Sequence, residues 1–195
     1  MKRLIDIMLS TLLLLMLSIP MVVIGLAVRL TSTGPAIHWS KRIGRFNKVI
    51  AMPKFRTMYI DSPDIATHLM DDPKKYLTPI GSFLRKTSLD EVPQLWSVFL
   101  GDMSLVGPRP ALFNQHDLVT LRTNNALHKL RPGLTGLAQI KGRDHLSIEN
   151  KVDYDLQYNR KKCTLFDMYI LLITLKKYLQ RVIFLIKAAQ LNNEF

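Results

Sequence analysis

Two adjacent carboxylates, Asp90 and Glu91, lie in the run Arg85-Lys86-Thr87-Ser88-Leu89-Asp90-Glu91-Val92-Pro93, and Gly107-Pro108-Arg109-Pro110 follows further along the chain. Carboxylates beside fixed cations suit phosphate chemistry: a carboxylate can attack phosphorus or share a divalent ion with it, and guanidinium groups match phosphate oxygens. The same residues also fit a helix start. Ser88 with Glu91 three positions later forms a capping-box pattern, and Asp90 would favour the positive end of the helix dipole. The two readings are compatible. Pro93 has no N–H and is tolerated only near a helix start, which puts Asp90 and Glu91 in or just before the first turn, where unpaired backbone N–H groups suit a phosphate. Proline on both sides of Arg109 restricts how its guanidinium is presented, whether to a phosphate or to solvent. Arg131 and Arg143 are further phosphate candidates in glycine-containing backbone, and Lys54 and Arg56 could meet either a phosphate or lipid headgroups.

Composition narrows the partners. The 195-residue chain has 27 Lys and Arg against 15 Asp and Glu, a formal net charge of +12, which favours anions. The basic residues are dispersed and lack the aromatic interleaving of single-strand binding surfaces, so nucleic acid is not expected. Cys163 is the sole cysteine, which excludes an intrachain disulfide and an all-cysteine zinc site. The five histidines have no metal-ligand spacing, and the chain has neither a Walker-type loop nor a dinucleotide fingerprint.

The elements that must position these groups begin with an apolar run from about Ile7 to Val28, long enough for a membrane helix and too long for the central part of a signal peptide. Pro20 removes a hydrogen bond in mid-run, and Ser18 could bond back to the freed carbonyls, so a bend is expected. Lys2 and Arg3 precede the run while Arg29, Lys41, Arg42, Arg45 and Lys48 follow it, so both ends carry the charge that marks the cytoplasmic side. A re-entrant helix satisfies both ends; a single span is the alternative. Thr31 to Pro35 reads as a turn, and Ile37 to Ile50 as extended segments at the interface, with Trp39 either a headgroup anchor or a core residue. Residues 61–79, with Asp61, Asp64, Asp71 and Asp72, suggest a surface loop containing one short helix. Thr78-Pro79 would open a helix to about Lys86, residues 111–130 a helix interrupted near Asn124-Asn125, and Leu137 to Ile140 a short strand. Thr164 to about Leu191 reads as a helix, apolar at first and then basic and amphipathic through Tyr178, Leu179, Leu185, Ile186 and Lys187, suited to a membrane interface. The fold class is therefore α+β, mainly helical, with an amino-terminal membrane helix-break-helix over residues 1–30 packed on a small globular catalytic domain over residues 31–195.

Three long motifs in order, Arg85 to Leu95, Gly101-Asp102-Met103-Ser104-Leu105-Val106-Gly107-Pro108-Arg109-Pro110, and Arg131-Pro132-Gly133-Leu134-Thr135-Gly136-Leu137-Ala138-Gln139-Ile140, closely resemble the bacterial sugar transferases that are monotopic phosphoglycosyl transferases. Lys54-Phe55-Arg56-Thr57-Met58 is similar to a further motif of that family. The resemblance implies a re-entrant topology at the cytoplasmic face of the bacterial inner membrane, although the family's usual Ser-Pro break is here Ser18-Ile19-Pro20. It implies transfer of a phospho-sugar from a UDP-sugar to a polyprenyl phosphate such as undecaprenyl phosphate, releasing UMP and initiating a surface glycan or glycoconjugate. By the same resemblance Asp90 would be the nucleophile, forming an aspartyl phospho-sugar and touching a Mg²⁺ ion. Glu91 would assist, either by positioning metal and substrate or as a base. Pro108, Arg109 and Pro110 would hold the nucleotide, with Arg85, Arg131, Arg143 and Lys54 as further phosphate contacts. Asp155, Tyr158 and Asp167 also match the family pattern and are read as structural. A homo-oligomer is compatible with the sequence. Two rival functions are a glycosyltransferase that moves the sugar alone and releases UDP, and a non-enzymatic membrane-anchored anion binder.

Overall fold

In the computed structural model, which describes residues 1–63 and 72–191, the apolar run is one helix, α1 (Lys2–Thr31). Its backbone stays helical across Pro20, so the expected helix-break-helix is a continuous helix. Ser18 Oγ donates to the Leu15 carbonyl at 2.8 Å, not to that of Met16, which is the one that loses the Pro20 N–H. The polarity of α1 is inverted relative to a helix on a soluble protein. Asp6, 3% exposed, and Ser10 face the protein, whereas Leu12, Leu15, Met16, Ile19, Val22 and Leu26 face outward.

α1 is tied down at both ends. Near its start Asp6 Oδ1 accepts from Leu105 N (3.0 Å) and Ser104 Oγ (3.1 Å), and Arg3 donates to the carbonyls of Val98 and Phe99, both at 2.6 Å. Lys2 Nζ donates to Asp167 Oδ2 (2.5 Å) and the Val106 carbonyl (3.0 Å), while Tyr158 Oη donates to Asp167 Oδ1 (2.8 Å). At the far end Val28 packs with Phe55 and Leu84, and the buried Arg56 guanidinium donates to the Ser32 carbonyl and hydroxyl, both at 2.8 Å. Between the ends Leu9, Leu13 and Leu17 pack on the main core.

After the turn come β1 (Ile37–Ile43) and β2 (Val49–Phe55), an antiparallel hairpin registered from Ile37↔Phe55 to Ile43↔Val49. Trp39 is 56% exposed, which removes the core alternative for it. Next are α2 (Gly81–Thr87), a 3₁₀ turn Leu89–Glu91, α3 (Gln94–Leu100) and β3 (Ser104–Val106). They are followed by α4 (His116–Asn124), β4 (Gly133–Thr135), α5 (Leu137–Lys141), a 3₁₀ turn Arg143–His145, α6 (Ile148–Lys161) and α7 (Thr164–Leu191). β3 and β4 pair in parallel, and Met52, Leu95, Val98, Met103, Leu105, Ile140 and Ile170 form the core around them.

Several expected boundaries move. The helix expected from Thr78 begins at Gly81, which lies too close to the Thr57 carbonyl to carry a Cβ. Ser88 caps nothing with its side chain; its φ of 57° ends α2 in the left-handed region and starts the 3₁₀ turn, so the capping box does not form. The expected strand at Leu137 to Ile140 is helix α5, and the strand is Gly133–Thr135 just before it. The helix over 111–130 contracts to His116–Asn124, ending at Asn125, with a 3₁₀ turn Leu127–Lys129 beyond. The short helix expected within 61–79 is the 3₁₀ turn Pro73–Tyr76. Asp64 and Asp71 lie outside the described residues, as do the side chains of Leu185, Ile186 and Lys187.

Candidate active site

The site is set by how closely three motif segments approach one another. β3 runs into Gly107, whose N–H donates to the Thr135 carbonyl at 2.8 Å, and Gly133 N–H donates to the Pro108 carbonyl at 2.8 Å. A Cβ on Gly133 or Gly136 would run into the Gly107 backbone, so the glycines of both motifs are there for close approach. This contact holds the Pro108-Arg109-Pro110 turn rigidly beside the β4–α5 junction.

The turn aims Arg109 at Glu91. Glu91 Oε1 accepts from Arg109 Nη2 at 2.8 Å and from Lys54 Nζ at 3.0 Å, with Arg143 Nη2 at 3.6 Å. Lys54 arrives from β2, and Arg143 from the 3₁₀ turn with a left-handed φ of 54°. Ser88 and Arg143 thus bracket the carboxylates with non-glycine residues in the left-handed region, a strain of order 1–3 kcal/mol each that the surrounding contacts must over-determine. Behind Arg109, Arg122 of α4 donates to its carbonyl through Nη1 (2.8 Å) and to Asp155 Oδ2 through Nε (3.0 Å) and Nη2 (2.7 Å). Asp155, on α6, is 2% exposed.

The two neighbouring carboxylates differ electrostatically. Burial alone would raise the Glu91 carboxyl, but Arg109 and Lys54 beside it hold it well below the usual carboxylate range. Asp90, 8% exposed, is pushed up instead, by burial first and by the Glu91 charge second, against Lys54, Arg85 and Arg143. Among the described residues no ion pair within 4 Å holds Asp90. Arg85, on α2, lies near it and donates to Thr57 Oγ1 at 2.9 Å.

These groups line a cleft of about 870 Å³. Asp90, Glu91, Lys54, Arg85, Arg109 and Arg143 meet there, together with Pro110. Pro108 and Arg131 are not among the lining residues; Pro108 spends its carbonyl on Gly133, and the Arg131 carbonyl lies against Gly107. Arg56 also borders the cleft, but its guanidinium is committed to the exit of α1.

Other lining residues escaped sequence reasoning. His38, Ser40 and Arg42 are alternate residues of β1 and so share one face, which their period-2 spacing could have revealed. Arg181 of α7 lines the cleft from a part of the chain with no motif. Gln139 of α5 also lines it, with amide oxygen and nitrogen both buried and unpartnered among the described residues.

Among the described residues no three His, Cys, Asp or Glu side chains converge as a metal cage. A cation here would be held by Asp90 and substrate oxygens, the arrangement Mg²⁺ commonly takes at phosphate-transfer sites, and a buried carboxylate with no ion pair within 4 Å among the described residues fits it.

The bacterial sugar transferase family matches residues 1–181. The chain is 40% identical over 185 residues to the UDP-glucose:undecaprenyl-phosphate glucose-1-phosphate transferase of Escherichia coli K12, covering 90% of this chain and 39% of that protein. It is 34% identical over 197 residues to the undecaprenyl-phosphate galactose phosphotransferase of Salmonella typhimurium, covering 92% and 40%. It is 38% identical over 178 residues to the uncharacterized sugar transferase EpsL of Bacillus subtilis, covering 91% and 87%. The chain thus spans about two-fifths of the length of the first two relatives and most of the third.

Proposed function

The chain belongs to the bacterial sugar transferase family, and on that premise we propose that it transfers a phospho-sugar from a UDP-sugar to undecaprenyl phosphate or a similar polyprenyl phosphate. The reaction would initiate a bacterial surface glycan. The observation that carries this reading is the divided carboxylate pair: Glu91 neutralised by Lys54, Arg109 and Arg143, and Asp90 beside it in the same cleft, without an ion pair among the described residues.

In the first step an Asp90 carboxylate oxygen attacks the sugar-linked phosphorus. The bond from that phosphorus to the bridging oxygen breaks, UMP leaves with the electron pair, and an aspartyl phospho-sugar remains. In the second, a phosphate oxygen of the polyprenyl phosphate attacks the same phosphorus, the bond to Asp90 breaks, and the carboxylate is restored with a lipid-linked diphosphate sugar as product. Dividing the displacement this way replaces one encounter between two anions with two separate ones. Asp90 would hold Mg²⁺ against the donor phosphates, and the ion supplies charge neutralisation there.

Glu91 is poorly suited to act as a base, since a carboxyl held well below its ordinary range has little affinity for a proton. Its role in this reading is to organise Lys54, Arg109 and Arg143 around the donor's phosphates. Asp155 and Arg122 act one layer back by fixing the backbone of Arg109.

For the membrane, the reading is a monotopic protein at the cytoplasmic face, with α1 embedded in one leaflet. A 30-residue helix is about 45 Å long. Both of its ends bind the same domain, which argues against a helix whose far end emerges on the other side of the bilayer.

The nucleotide product tests the function. UDP-glucose or UDP-galactose is mixed with undecaprenyl phosphate, Mg²⁺ and the purified protein. UMP is the expected product, and its formation should stop when EDTA removes the metal. Release of UDP would identify transfer of sugar alone, and release of no nucleotide from any of a wider panel of UDP-sugars would favour the anion binder.

A further inference from the structure

Helix α7 packs Ile170 in the core, but from Thr174 onward it turns polar side chains toward the protein and apolar ones away from it. Thr174, Lys177 and Arg181 fall on one face by their spacing and meet the domain. Thr174 Oγ1 shares a hydrogen bond with Thr135 Oγ1 (2.8 Å), Lys177 Nζ donates to the Ile140 carbonyl (2.5 Å), and Arg181 Nη1 donates to Ser88 Oγ (3.4 Å). The other face bears Leu172, Leu175, Leu179 and Ile183, each more than half exposed. A helix with this distribution has a polar active-site cleft on one side and an apolar medium on the other. α1 shows the same inversion, with Asp6 and Ser10 turned in and its leucines turned out.

Arg181 stands on the inward face of α7, across the helix from its apolar stripe. It lines the cleft of Asp90 and Glu91, and its hydrogen bond goes to Ser88, at the start of the turn that carries Asp90. The other cations around the carboxylates are already engaged: Lys54, Arg109 and Arg143 with Glu91, and Arg85 with Thr57. The Arg181 contact is long and solvent-exposed, so its guanidinium can be recruited at little cost. Lys151 also borders the cleft, but it rises from α6, a helix rich in charged residues on which no apolar tail could lie.

We propose that Arg181 binds the phosphate of the polyprenyl acceptor, whose tail stays in the apolar medium that the outer face of α7 meets while the phosphate enters the cleft. The inference rests on the transfer reading above. The two substrates approach from different media: the nucleotide donor from water, and the acceptor as an amphiphile whose tail must stay in apolar surroundings while its phosphate reaches the phosphorus on Asp90. Of the cleft's cations, Arg181 is the one carried on a helix that offers both surfaces. Phe83 is a further exposed apolar side chain on α2, which packs against α7. A planar guanidinium matches a terminal phosphate through two parallel hydrogen bonds, so lysine should substitute only in part.

The test compares wild-type protein with Arg181→Ala and Arg181→Lys in nanodiscs. Binding of undecaprenyl phosphate is measured without donor, and release of UMP from UDP-glucose is followed without acceptor. Arg181→Ala should weaken acceptor binding by roughly tenfold or more, raise the KM for undecaprenyl phosphate in step, and leave the donor-only UMP burst unchanged; Arg181→Lys should recover part of the loss. Equal acceptor affinity in all three proteins, or no binding above nanodiscs lacking undecaprenyl phosphate, would overturn the assignment. So would a burst that falls along with acceptor binding, which would assign Arg181 to the donor or to the fold. Acceptor binding that depends on Arg181 in a wild-type protein with no burst would instead remove the covalent route and leave the acceptor site standing.

Discussion

Asp90 and Glu91 are joined by one peptide bond, yet the fold gives them opposite electrostatic environments. Glu91 points at three cations brought from β2, from the Arg109 turn and from the turn after α5, while Asp90 is buried with no ion pair among the described residues. The sign for acid sensitivity follows. Glu91, held well below its ordinary range, stays ionised as pH falls through the usual carboxylate region, whereas Asp90, pushed up, takes a proton earlier. Without metal Asp90 should therefore titrate above the ordinary aspartate range, and Mg²⁺ bound to it would move the acid limb of the donor half-reaction back toward lower pH. Glu91→Gln should move that limb to lower pH, because it removes a like charge and leaves Lys54, Arg109 and Arg143 uncompensated nearby. It should also lower kcat by at least about tenfold, the effect of losing a charged hydrogen bond, and a pH–rate profile of both proteins reads both effects. The pair itself was legible in the sequence, as was the rigidity that prolines impose on Arg109. Which carboxylate the cations would satisfy was not, because the partners of Glu91 come from segments whose approach depends on the β3–β4 contact.

At the scale of elements, α1 is held by polar contacts that an apolar run does not advertise. Asp6 sits one residue before the stretch and satisfies the N–H of Leu105 and the hydroxyl of Ser104 in a buried position. Replacing it with alanine leaves both donors buried and unpaired, a cost of about 1–3 kcal/mol. Thermal unfolding in detergent should show Asp6→Ala less stable than wild type, with Asp6→Asn closer to it because the amide oxygen can still accept. The helix legible over Thr164 to Leu191 is α7, and the extended reading of Ile37 to Ile50 covers β1 but only the first two residues of β2. The misassigned strand at Leu137 to Ile140 has a physical explanation. Its residues suit either state, and the glycines at 133 and 136, which by composition suggest a turn, admit a strand to close contact with Gly107. Ser88 was likewise read as a cap from its spacing to Glu91, but a left-handed φ at Ser88 redirects the chain before any cap can form.

For the molecule as a whole, the two inverted helices, the exposed Trp39 and the basic cleft describe a protein that works at a boundary between lipid and water. Positive charge flanks the apolar run on both sides, and both ends of α1 attach to one domain; whether those ends share one face of the membrane is decided by labelling. In a Cys163→Ser background, cysteines placed just before Met1 and at Thr33 should both react with an impermeant maleimide in inverted membrane vesicles and neither in intact cells. Labelling of one in each preparation would indicate a span. The central claim is that Asp90 becomes covalently loaded before the lipid is engaged, and intact-protein mass spectrometry tests it most directly. After incubation with UDP-glucose or UDP-galactose and Mg²⁺ without acceptor, the wild-type protein should gain the mass of one sugar phosphate, mapped by peptide analysis to Asp90 and absent in Asp90→Asn. A wild-type protein that turns over the donor with acceptor present, yet never carries that mass without it, would contradict the account.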